Sequence, residues 1–261
     1  MTAWAALSTV VSGGIVGFVL AVIGGGGSIL AVPLLHYVVG MADAHRALGT
    51  AALAVAANAV VNLLHHARAG TVKWPCAAAF AGAGVVGALL GAHFGQGVDG
   101  RVLLLLFAVA MLGVGVALLR GRREQGDPGV RITPAIAARL IALGFGAGLL
   151  SGFLGIGGGF LIVPGLIAGS GMATLNAIGS SLLGIAAFGF ATAGSYAAAG
   201  LVDVPTALLF VAGGAAGGWF GVHAAVRMAA YKGLLDRAFA VLLIVLAVAV
   251  AGQSVHSLGW V

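Results

Sequence analysis

Charge is what this chain has least of. Only 7% of its residues are Asp, Glu, Lys or Arg, where a soluble domain carries about a quarter. With 61% hydrophobic residues and a mean hydropathy of +1.17, the chain is excluded from the soluble globular class and reads as an integral membrane protein. Cysteine is nearly absent, and the lone Cys76 rules out an intramolecular disulfide and any four-cysteine metal site. No carboxylate falls at the centre of an apolar run, so the buried acid that many proton-coupled carriers use is missing. The runs also lack a nucleophile with its base, paired aspartates and a His-Glu-x-x-His pattern, which excludes an enzyme and leaves no catalytic residue, metal site or cofactor to name. Strand-like alternation is missing too. Because the apolar runs reach the roughly 20 residues that cross a bilayer as helix, the fold class is an all-α polytopic membrane bundle rather than a β-barrel. The pI near 10.5 invites nucleic acid as a partner. Its basic residues sit at the ends of apolar runs instead of forming one stripe, which excludes that partner and makes them orientation signals.

What is present is a series of apolar segments, at about 5–23, 28–40, 44–67, 74–95 and 101–119, then at about 136–154, 159–170, 174–199, 204–226 and 232–251. The first lacks a basic leader and is expected to be a mature helix, not a cleaved signal. Between the two sets lies a charged, proline-containing stretch with linker chemistry. The expected organisation is an N-terminal repeat over 1–119, a linker over 120–135 and a C-terminal repeat over 136–261.

Each half opens on a glycine run inside an apolar segment. Ile23-Gly-Gly-Gly-Gly-Ser-Ile-Leu-Ala-Val-Pro33 is matched by Leu154-Gly-Ile-Gly-Gly-Gly-Phe-Leu-Ile-Val-Pro164. A phosphate-binding loop would end in Gly-Lys-Ser/Thr, and neither run does. Further on, Val72-Lys-Trp-Pro75 matches Val202-Asp-Val-Pro205, and Gly87-Ala-Leu-Leu-Gly-Ala-His93 matches Gly217-Gly-Trp-Phe-Gly-Val-His223. The halves therefore read as internal structural repeats, and an odd number of crossings in each inverts the second relative to the first. A cytoplasmic linker gathers Arg68, Lys73, Arg120, Arg122, Arg123, Arg131, Arg139, Arg227, Lys232 and Arg237 on its own side. That leaves Arg46 and Arg101 outside, with both termini.

The segment after each glycine run is too short to cross. Thirteen residues of helix reach about 20 Å, against a hydrocarbon core of about 30 Å. Each would leave a helix start, with free N–H groups and the positive end of a dipole, inside the membrane, where two such ends favour a small anion. The candidate substrate-binding residues are Gly24, Gly25, Gly26, Gly27 and Ser28 with Gly155, Gly157, Gly158 and Gly159; close helix packing is the alternative use of those glycines. Thr50, Asn58 and Asn62 share one helix face and Ser181, Thr192 and Ser195 nearly another, with Thr50 and Ser181 matched. Of these, Thr50, Asn58 and Ser181 join the candidates, although such groups also serve as interhelical hydrogen-bond partners. Among the histidines only His93 and His223 are matched, which makes them the candidate proton relay, although both lie near segment ends where an imidazole needs no special role. The spacing of Gly87, Gly91 and Gly95, and of Gly213, Gly217 and Gly221, suits close helix contact.

The paired glycine motifs, with their prolines Pro33 and Pro164, resemble the signature of the TauE/SafE sulfite exporter family over nearly the whole chain. The resemblance implies a multi-pass carrier in the bacterial inner membrane for small sulfur-containing anions such as sulfite, sulfoacetate or another organosulfonate, energised by protons or another coupling ion. Ser28 stands where the second copy has Gly159, so the two half-sites are unequal. A passive anion channel and a non-transporting scaffold or assembly factor are the alternatives, and a homo-oligomer is compatible with either use.

Overall fold

The computed structural model describes residues 3–24, 26–120, 126–154 and 159–228, together with residues 241, 244, 245, 247 and 248. In chain order the helices are α1 (Ala3–Ile23), α2 (Gly26–Pro33), α3 (Ala44–Arg68), α4 (Trp74–Gly95), α5 (Gly100–Arg120), α6 (Pro134–Phe153), α7 (Gly159–Ser170), α8 (Thr174–Ala198) and α9 (Val204–Met228). Helix is forced by the solvent: in hydrocarbon each backbone N–H and C=O must find its partner within the segment. Among the described residues six helices are long and apolar enough to cross a bilayer, and α2 and α7 belong to two shorter apolar ones. The expected tenth segment, 232–251, lies outside the described residues apart from the five positions named.

Ends are set by local chemistry. The Asp43 carboxylate accepts from the His45 and Arg46 N–H groups at 2.9 and 3.4 Å and starts α3; Asp203 accepts from Thr206 N–H at 3.1 Å and starts α9. Segment 28–40 is not one plain α-helix. Pro33 supplies no N–H, and beyond it Leu34–Val38 widens into a π-helical turn closed by Val39 N–H on Leu34 O at 2.9 Å. The linker docks by a single β-bridge between Asp127 and Met172, with Asp127 N–H donating to Gly171 O at 2.9 Å.

Two interfaces dominate the packing, α4 on α6 and α1 on α9. Both are glycine seams. A methyl group on Gly87 would strike Phe145 O, and one on Gly91 would strike Leu149 O; on Gly217 and Gly221 it would strike Gly14 O and Phe18 O. Without side chains there, backbones approach closely enough for dispersion to hold helices that the hydrophobic effect cannot hold in lipid. The seams correspond residue for residue, so each half grips the other by the same device. Between them α3 and α8 pack together at the centre and carry half of the buried polar side chains among the described residues.

Candidate functional site

The first glycine break is covered by the opposite half of the chain. α1 ends at Ile23, and Gly24 turns the chain with φ +71° while its N–H returns to Leu20 O at 2.8 Å. Few residues other than glycine adopt that conformation. A Cβ there would also lie 2.9 Å from Ser181 Oγ, 3.1 Å from Val163 Cγ2 and 3.3 Å from Ile178 Cα, so α7 and α8 close over the turn. The short helices α2 and α7 touch each other. Gly27 rests on the backbone of Leu20, which closes the α1–α2 hairpin, and Ser28 is wholly buried. Gly26 and Gly159 are the first residues of α2 and α7. Gly25, Gly155, Gly157 and Gly158 lie outside the described residues.

Five residues of α8 between positions 176 and 181 make contacts at this corner. Ile178 and Ser181 face Gly24, while Gly179 lies against Thr71 of the α3–α4 loop. Ser180 Oγ accepts from Lys73 N–H at 2.8 Å, and Asn176 Nδ2 donates to Thr71 O at 2.9 Å. At the other end of the α3–α8 pair, Thr50 Oγ1 accepts from Asp203 N–H at 2.9 Å. Because Lys73 and Asp203 correspond, the counterpart of Thr50 is Ser180. This corrects the sequence-based match to Ser181, whose hydroxyl bonds Ile178 O at 2.8 Å within its own helix.

Asn58, Asn62 and His66 line one face of α3. All three are wholly buried. Asn58 lies on the backbone of Gly214 with Oδ1 and Nδ2 both unpartnered; Asn62 Nδ2 reaches Gly17 O at 3.5 Å, and its Oδ1 has no partner. His66 was hidden from sequence reasoning by its place beside His65 at a segment end. Nε2 bonds Ala21 O at 3.1 Å and Nδ1 meets Thr71 Oγ1 at 2.9 Å, which ties α3 to the last turn of α1 before the glycine break. The matched pair His93 and His223 is exposed. His223 Nδ1 donates to Trp219 O at 2.9 Å, and the His93 ring stands against Phe94. The signal for His66 was the four-residue spacing from Asn58 through Asn62, which puts all three on one stripe.

Crossing-length apolar helices around two short broken ones define a multi-pass helical membrane protein. The profile of the sulfite exporter TauE/SafE family matches residues 9–250, and the chain belongs to that family. A probable membrane transporter protein of Xylella fastidiosa strain 9a5c is 48% identical over 263 residues, covering 99% of both chains. Probable membrane transporter proteins of Bacillus subtilis and Methanocaldococcus jannaschii are 24% and 25% identical, over 79% and 58% of this chain and 85% and 58% of their own. No solved structure matches. The protein is a membrane transporter.

Proposed function

We propose that the protein is a secondary transporter of the bacterial inner membrane for a small sulfur-containing anion, sulfite, sulfoacetate or another organosulfonate, bound between the two glycine breaks. The observation that carries this reading is the cover of the Gly24 turn by Ser181, Val163 and Ile178 of the other half. A helix start enclosed in this way, with no Lys or Arg in the middle of the spans, must neutralise an anion with backbone N–H groups and helix dipoles. Gly26 and Gly159 open those helices within the candidate runs 24–28 and 155–159, and Thr50, Asn58 and Ser181 supply uncharged polar side chains. The returned contacts of the two seams support inverted repeats over 1–119 and 136–261. The cytoplasmic linker and external termini rest on the Arg and Lys distribution.

Labelled sulfite and sulfoacetate flux into proteoliposomes tests the reading. Saturable uptake accelerated by unlabelled anion on the far side is expected. Linear flux without counterflow would indicate a channel, and no flux of any sulfur anion would remove the substrate assignment.

A further inference from the structure

We infer that Nδ1 of His66 is the proton-binding site of this transporter, and that proton and anion bind together at the first glycine break. The inference rests on the transport of an anion, but not on which anion.

The geometry around the ring fits two protonation states with one set of heavy-atom positions. Ala21 O can only accept, so Nε2 must carry a hydrogen for their 3.1 Å bond. The variable proton is therefore on Nδ1. Thr71 Oγ1 lies 2.9 Å from Nδ1 and 3.1 Å from His66 O, and its single hydrogen serves one or the other. With a neutral ring the hydroxyl donates to Nδ1. When Nδ1 is protonated, Nδ1–H donates to Thr71 Oγ1 and the hydroxyl turns to His66 O. A proton is gained by rotating one O–H, with every polar atom still bonded.

Charge balance links that proton to the anion. The imidazolium is wholly buried; the titratable and charged groups of the elements beside it are His65 and Arg68 on α3, which line a cavity with His223 of α9, Lys73 two residues after Thr71, and Arg227 one turn beyond His223. α1 and the first two turns of α8 contribute none. Asp127 sits on the turn before α8, where its carboxylate accepts from Gly129 N–H at 2.7 Å. A buried cation among cations is unstable without a counter-charge. The helix start beyond Gly24, in the turn after Ala21, is where the transported anion would supply it. Each ligand then strengthens the binding of the other, as linkage requires. The same ring also holds Thr71, and through Thr71 the α8 residues that cover Gly24, so loading is communicated to the lid of the break.

The test uses the full-length protein in proteoliposomes, with labelled sulfoacetate, whose charge is constant between about pH 5.5 and 8, the range in which imidazole titrates. In the wild type an acid-outside gradient is expected to accelerate uptake about tenfold. In His66→Gln that acceleration should vanish, and the sulfoacetate counterflow that remains should be weaker and independent of pH. Gradient-driven uptake surviving in His66→Gln would overturn the proposal. Thr71→Val should move the midpoint of the pH profile and Thr71→Ser should restore it; identical midpoints in all three proteins would also overturn it, even if His66→Gln does not fold. A substrate-free measurement separates this from the choice of anion. Hydrogen exchange of residues 18–28 and 69–73, corrected for intrinsic rates, should change between the two pH values in the wild type, and invariance there counts against His66. Absent sulfoacetate flux with pH-sensitive exchange would remove sulfoacetate as the substrate and leave the proton site standing.

Discussion

α3 and α8 are corresponding helices with the same length of 25 residues, and their buried faces differ where the rest of the halves agree. Asn58, Asn62 and His66 on α3 stand where α8 carries Phe188, Thr192 and Tyr196. Asn58 sits on Gly214; Phe188 sits on the matching Gly84 and stacks on Phe80 with ring centroids 6.2 Å apart. The glycine seams and the backbone tethers to Thr50 and Ser180 are kept alike, because they hold the fold. The central faces are free to diverge, and α3 carries two amides and an imidazole where α8 carries two aromatic rings and a threonine. Matched seams therefore enclose an interior that is chemically one-sided.

The harshest way to break this comparison is to put a branched side chain on the glycines. Gly24→Val should abolish transport with insertion intact, because its Cβ meets the small, movable Ser181 hydroxyl but must adopt φ +71°. Gly91→Val and Gly221→Val should instead lower the yield of folded protein, since their Cβ atoms meet backbone at Leu149 and Phe18, which cannot yield. Flux per folded molecule and monodispersity in detergent separate the two effects. Normal flux in Gly24→Val would make that glycine a packing residue like the others.

A gentler change compares the central faces directly. Asn58→Leu removes two unpartnered polar atoms and should leave stability unchanged or higher by about 1 kcal/mol, while flux drops about tenfold. Phe188→Ala opens a cavity and should lose about 3 kcal/mol, with flux per folded molecule nearly kept. Thermal unfolding and counterflow on the same preparations check both. Two variants that behave alike would mean the faces differ in composition and not in role.

Most of the architecture was legible because lipid leaves so few choices. Apolar run lengths placed α3 at 44–67 against an observed end at Arg68, and the second short helix at 159–170 as found. The π-turn after Pro33 was not legible, since hydropathy reports burial and not backbone pitch. Which helix faces which was hidden for a related reason: in a bundle apolar on all sides, no stripe marks the contact face. The glycine spacing announced close contact for α4 and α9 without naming α6 and α1 as partners. At the site, the turn at Gly24 was marked in the sequence by its glycine run. His66, Thr71 and Ser180 were not, because their roles depend on partners far along the chain.

The smallest expected effect tests the equivalence of the halves at the helix starts. Lys73 and Asp203 stand just before α4 and α9, and their N–H groups donate to Ser180 and Thr50 of the opposite half. Removing either hydroxyl leaves a part-buried N–H without its acceptor, a loss of about 1 kcal/mol. Thr50→Val and Ser180→Ala should therefore lower stability by similar amounts, and the double variant by their sum, because the two tethers share no partner. Ser181→Ala is the control. Its hydroxyl only returns to Ile178 O within α8, an exchange of one local bond that should change stability by less than about 0.5 kcal/mol. Chemical unfolding in one detergent ranks the four variants. A loss at Ser181 equal to that at Ser180 would restore the sequence-based match, and a large difference between Thr50 and Ser180 would show that the one-sidedness of the interior extends to the scaffold.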